Sequence, residues 1–293
     1  MSTLLLGDSH SDIFLHLPGV SRFDLSQCQQ VLFTIFRFTN LNDVDLWDRL
    51  DNWFAQHAAL TKKIVITASE IDIRAHFWRH IPRHYQDYSD ISKFVRANAN
   101  SLYQSLVTLC DKYNLERVVV WSAPIAGERA QYNSQHPFSG SSKTRNQLVH
   151  IWNREFSEII KNDRRLSLAT AYYNFIDPET YSTVTPSPSH DGVHWHSNYG
   201  PSFWETFIVP ALNNPGTYVG DHWNIMYNHI FDVSTTESSG DQKYDTWALA
   251  EQINNFEKIQ HIVTINNQRY SWIPADLRSL LPKQYKELGI IRT

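Results

Sequence analysis

Ser9, Asp191 and His194 are the residues of this chain whose types and spacing can do chemistry together. Ser9 lies in Leu4-Leu5-Leu6-Gly7-Asp8-Ser9-His10-Ser11, where three leucines read as a short buried strand and Gly7-Asp8 breaks it. A serine leaving a buried strand ahead of a helix sits where α/β folds present reactive groups. Asp191 and His194 stand three apart in a loop rich in Pro, Ser and Gly. At that spacing a carboxylate can hold an imidazole in one tautomer, provided the loop turns. The chemistry of such a set is nucleophilic: His194 accepts the Ser9 proton, Ser9 attacks a carbonyl carbon, and Asp191 stabilises the imidazolium. The same residues also have plainer uses. Asp8-Ser9 is what a capped helix start requires, and residues 187–196 also read as a polar surface loop.

For the serine and the histidine to meet, the elements between them must bring both to one rim. Strands are expected at 31–38 (VLFTIFRF), 64–68, 117–122 and 168–176, in addition to the opening one. Between them the apolar spacing predicts helices over 45–60, from Asp90 onward (Ile91, Phe94, Val95, Leu102, Leu106 and Leu109 on one face), over 142–162 and over 198–212. A short helical segment from Asp12 ends at Pro18-Gly19. Alternating strands and helices argue for a parallel sheet covered on both faces. Right-handed crossovers then put every strand exit on one edge, where Gly7-Asp8-Ser9, Ser69-Glu70-Ile71-Asp72 and Ser122-Ala123-Pro124 all emerge. After residue 213 the pattern changes. Residues 223–233 and 259–273 look strand-like, the latter folding back around Asn266-Asn267, and 274–288 resembles a short helix. The expected domains are therefore an α/β unit over 1–213 and a small α+β appendage over 214–293.

Composition bounds the rest. The chain has 293 residues, 42% hydrophobic and 19% charged, which is ordinary for a globular protein. A net charge of -4 gives no basic face for nucleic acid. No run reaches the roughly 18 apolar residues of a membrane span, and the first strand has neither the length nor the basic lead of a signal peptide. Cys28 and Cys110, both in apolar surroundings, suit a reducing compartment, so the expected location is cytoplasmic. Ten Trp, fourteen Tyr and fifteen Phe fit a lined cleft as well as a packed core.

On two blocks the sequence resembles the SGNH (GDSL-type) hydrolase superfamily: Gly7-Asp8-Ser9 matches its first block and Asp191-Gly192-Val193-His194 its last. The resemblance covers about residues 1 to 212. It implies a flavodoxin-like three-layer α/β/α fold with a five-stranded parallel sheet, a serine esterase or O-acyltransferase activity, and no cofactor. It also implies a catalytic Ser9, His194 and Asp191. The intermediate blocks depart from the pattern. Where the family has Gly-x-Asn-Asp, this chain has Ser69-Glu70-Ile71-Asp72-x-Arg74, which is similar to a Gly-Glu-Ile-Asp-x-Arg variant among SGNH-like proteins. Loss of the Asn donor removes about 3–4 kcal/mol of transition-state stabilisation unless another group replaces it. Ser69, Asn40 and Arg74 are the candidate replacements, with Asp72 beside them. Glu70, Asp72 and Arg74 also fit a structural ion pair, a carboxylate against the guanidinium, that stiffens the strand exit. His10 and Trp195 flank the set as candidate substrate-binding residues. The expected substrate is a small-molecule or glycan ester, such as an acetylated carbohydrate.

Two further readings stand beside this one. The first is an SGNH-like binding or scaffold protein that kept the fold without efficient catalysis. The second is a metal-assisted hydrolase using His190, Asp191, His194 and His196, or His76, His80 and His84 at four-residue spacing. Pro82 interrupts the second set, and a metal on His194 would prevent it from acting as a base.

Overall fold

Three runs of consecutive aliphatic residues, Leu4–Leu6, Ile64–Ile66 and Val118–Val120, have no exposed surface at all. Successive residues of a strand point to opposite faces, so burial of every residue means that both faces of the sheet are covered. These runs form the centre of six parallel strands in the computed structural model. The structure describes residues 2–7, 9–14, 17, 20–22, 44–57, 61–67, 69–77, 88–126, 141–183, 193–223, 262–265, 268–272 and 290–292. The strands are β1 (Ser2–Gly7), β2 (Val20–Arg22), β3 (Thr61–Thr67), β4 (Arg117–Trp121), β5 (Leu166–Ala169) and β6 (Gly216–Tyr218). Their order in the sheet is β2-β1-β3-β4-β5-β6, and every pairing is parallel.

The α/β class with a parallel sheet is thus the one expected, with differences at both edges. The strand expected at 31–38 lies outside the described residues, and the place beside β1 is held by β2, through Thr3↔Val20 to Leu5↔Arg22. At the other edge β6 pairs with β5 (Ser167↔Gly216). The sheet therefore runs past residue 213, where the sequence reading ended the α/β unit. The fifth strand is shorter than expected, stopping at Ala169 before a 3-10 turn at Tyr172–Asn174.

The helices α1 (Val44–His57), α2 (Tyr88–Tyr113) and α3 (Ser142–Ile160) fall where the apolar spacing put them. Ser141 caps α3, its hydroxyl accepting from the Thr144 N–H at 3.1 Å. The last helical run consists of α4 (Gly200–Phe203), a wide turn at Trp204–Ile208 and α5 (Val209–Asn213). Pro210 has no N–H and its ring presses on the carbonyl four residues back, which explains the wider turn just before it. Trp121 at the end of β4 packs on Phe14 (5.5 Å between centroids) and Phe203 (5.6 Å), tying the first and last helical segments to the sheet. Much of the aromatic excess is therefore core. Cys110 is buried, and burial, with Arg165 opposing, pushes its thiol up to about 12.

Farther along, β7 (Ile262–Ile265) and β8 (Gln268–Trp272) form the antiparallel hairpin expected around Asn266-Asn267, with Ile265 opposite Gln268. The strand β9 (Ile290–Arg292) pairs with β8. The segments expected at 224–233 and 274–288 lie outside the described residues. Among the described residues no helix is long and apolar enough to cross a membrane.

Candidate active site

The sheet order reverses between β1 and β3: the chain leaves β1 for β2 on one side and returns to β3 on the other. Ligands of open α/β sheets bind outside the strand ends at such a switch point. Gly7, the last residue of β1, pairs with Thr67, the last of β3. A Cβ on Gly7 would lie 2.8 Å from the Thr67 carbonyl oxygen, so only glycine lets the strand ends close this tightly. From there the backbone enters a 3-10 turn, Ser9–Phe14, opened by Ser9. Of Ser9 the backbone is described. Asp8, Asn40 and Asp191 lie outside the described residues.

His10, the residue after Ser9, is buried (6% exposed) and its ring stacks on that of His194, with centroids 4.6 Å apart and planes at 23°. Its Nε2–H donates to the Val193 carbonyl at 3.3 Å. The two blocks singled out in the sequence therefore meet at one place, although 183 residues separate the bonded pair. His10, Asp12, Ile13, His194, Trp195, His196 and Ser197 line a cleft of about 590 Å³. Trp195 is a wall of that cleft and is also packed on Phe175 (5.3 Å) and Phe203 (5.1 Å), so it is held rigid.

Behind His10 lies the β3 exit. Ser69 has φ 86, on the side of the backbone map that glycine adopts without strain, at the position where the resembled motif has Gly. Its hydroxyl accepts from the Ala123 N–H (3.2 Å), which ties the β3 exit to that of β4. The helical run that follows buries Glu70, Asp72 and Arg74. Arg74 Nε donates to Glu70 Oε1 at 2.5 Å. Glu70 Oε2 lies 3.6 Å from His10 Nε2. Burial is the strongest influence on the Glu70 carboxyl and pushes it up. Arg74, His10 and His194 together overcome it, so the carboxyl sits below its ordinary value. Arg145 of α3 is buried beside the pair. Its burial, opposed by Glu70, lowers its guanidinium to about 10, still charged at neutral pH.

The structural ion pair expected among Glu70, Asp72 and Arg74 is therefore present, and it is Glu70 that engages Arg74. Sequence reading missed Asp12 and Ser197 on the cleft wall and Arg145 beneath the rim. It also missed the buried polar row Asn146, His150 and Asn153, where only the apolar stripe of α3 was read. The signal was there in the four- and three-residue steps between them. Among the described residues no group of three or more His, Cys, Asp or Glu side chains is placed to hold a metal ion. His80, His84 and His190 lie outside the described residues.

The last helix is seated on the Ser9 turn through Gly200. A Cβ there would stand 2.0 Å from the Ile13 carbonyl oxygen, a backbone atom with no side-chain freedom to retreat. Gly200 precedes Pro201 and holds helical dihedrals (φ -50, ψ -52), where an added Cβ also meets the proline ring, so Gly200→Ala gains nothing from helix propensity. Relief of the clash needs a shift of about 1 Å, and such overpacking costs about 1–3 kcal/mol. The substitution is expected to lower the urea midpoint; an unchanged or raised midpoint would refute the close seating.

No protein-family model matches the chain, and no curated protein matches it. Among solved structures it is similar to a chain described as "The structure of a putative platelet activating factor from Streptococcus pneumonia", at 16% identity and a TM-score of 0.42, over 70% of this chain and 80% of that one.

Proposed function

We propose that this protein is a serine-dependent ester hydrolase or O-acyltransferase of SGNH type. The observation that carries the reading is the His10–His194 stack at the sheet's switch point, because His10 is the covalent neighbour of Ser9. In the proposed reaction His194 accepts the proton as the Ser9 oxygen bonds to the ester carbonyl carbon, and Asp191 orients the imidazole. The alcohol then leaves with that proton, and water or an acceptor hydroxyl attacks the acyl-enzyme. The Ser9 backbone N–H is one proposed oxyanion donor, with Ser69 or Asn40 as the second. The rigid Trp195 wall fits a sugar or other small ester, and a carbohydrate acyl group is the proposed substrate class.

One observation favours a second reading, a binding protein without efficient catalysis. At the exit where the resembled family has its Asn donor, Arg74 Nε donates to Glu70 Oε1. A fluorophosphonate probe separates the two. Covalent labelling of the wild type that disappears in Ser9→Ala supports the enzyme. A folded wild type that stays unlabelled supports the binding protein.

A further inference from the structure

We propose that Glu70, acting through His10, is a positioning residue that clamps the His194 segment to the Ser9 turn. The inference rests on the reading of His194 as the base. Three contacts make the chain of action. Arg74 fixes one oxygen of the Glu70 carboxylate at 2.5 Å, and the other faces His10 Nε2 at 3.6 Å. At that distance the carboxylate polarises the imidazole N–H electrostatically and is not its hydrogen-bond acceptor. The acceptor is the Val193 carbonyl at 3.3 Å. A carbonyl can only accept, so Nε2 carries the hydrogen, and the neighbouring carboxylate favours that tautomer.

The accepting carbonyl belongs to the peptide bond that joins Val193 to His194. Holding it fixes the backbone from which the His194 ring projects, while the His10 ring sets the orientation of that ring by stacking on it. Glu70, Arg74 and His10 are 7%, 6% and 6% exposed, so the clamp is built of packed groups. It also gives the departure from Gly-x-Asn-Asp a use: the β3 exit of this chain holds a charge that positions the base. Among the described residues, Glu70 on the β3 exit and His194 on the last loop face His10, with Arg74 and Arg145 behind Glu70.

His10→Phe keeps a ring for stacking but removes the donor, whereas His10→Gln keeps an N–H that can reach the Val193 carbonyl. Misplacing a catalytic group by about 1 Å costs about 100-fold. With p-nitrophenyl acetate, His10→Phe is expected to lose about 10- to 100-fold in kcat with KM nearly unchanged. His10→Gln is expected to recover part of that loss, because the donor to the Val193 carbonyl returns while the stacked ring does not. A kcat unchanged in His10→Phe, or no better in His10→Gln, overturns the clamp. An arm free of catalysis uses proton NMR of Ser9→Ala. A slowly exchanging imidazole N–H of His10 is expected, with exchange at least about tenfold faster when Glu70→Gln is added. Absence of that resonance, or equal exchange in both proteins, overturns the clamp whether or not the protein is an esterase. If the wild type neither hydrolyses ester nor takes the fluorophosphonate, the enzyme reading fails while this NMR result still decides the clamp.

Discussion

In the His194→Ala protein, hydrolysis of p-nitrophenyl acetate is expected to fall by about 10⁴-fold in kcat, while the fold stays intact. The magnitude follows from the role. A general base contributes up to about 10⁴-fold, and members of a nucleophile–base unit fail together when one is removed. A 10⁴-fold loss is about 5.4 kcal/mol of transition-state stabilisation. The structural cost is far smaller: His194 is half-buried, and its ring contact with His10 is worth about 0.5–1.5 kcal/mol. The two readouts are thus expected to diverge, activity collapsing while the urea midpoint moves little. Ser9-dependent hydrolysis that survives in His194→Ala would refute the base assignment. A collapse of both readouts together would make His194 a packing residue.

The parts of this fold that were legible before the structure are those whose physics is local. Leu4–Leu6, Ile64–Ile66 and Val118–Val120 are unbroken aliphatic runs because both faces of their strands are covered, and that pattern survives in any reading of the chain. The edge strands were not legible. Val20–Arg22 follows Pro18-Gly19, and Gly216–Tyr218 begins at a residue read as part of a Pro-Gly break. At three residues each, neither has a period to detect, and each is a strand only because a longer neighbour offers it a ladder.

The site divides in the same way. Glu70 and Asp72 both stand within four residues of Arg74, so an ion pair could be read from the sequence, and the helical turn selects Glu70 as the partner. The contact of His10 with Glu70 has no such signature, since the β1 and β3 exits become neighbours only through the order of the sheet. Sequence reading therefore gave His10 a substrate-facing role. The structure adds its contacts with Glu70, Val193 and His194, the first of them buried behind the rim.

The buried pair also controls stability, and its pH dependence has a definite sign. Arg74→Met, which keeps much of the volume and removes the charge, is expected to cost about 3–5 kcal/mol at pH 7, because it strands a buried carboxylate. The exposed pair Lys93–Asp90, of similar sequence spacing but with a Lys93 side chain 72% exposed, sets the contrast, since such pairs contribute about 1 kcal/mol or less. In the wild type the folded Glu70 carboxyl lies below its unfolded value. Its contribution is therefore fully present above the unfolded pKa, near about 4.3, and is lost as pH falls through the lower folded value. In Arg74→Met the main opposing charge is gone, so burial, the largest influence, is expected to move the carboxyl upward from its wild-type position. The buried carboxylate then costs the variant stability at neutral pH, and protonation on acidification relieves that cost. Urea unfolding at a series of pH values should show the gap between the two proteins widest near pH 7 and narrowing below about pH 4. A gap that is constant across that range would mean that Arg74 stabilises the fold through its packing alone, and that Glu70 does not depend on it for its charge.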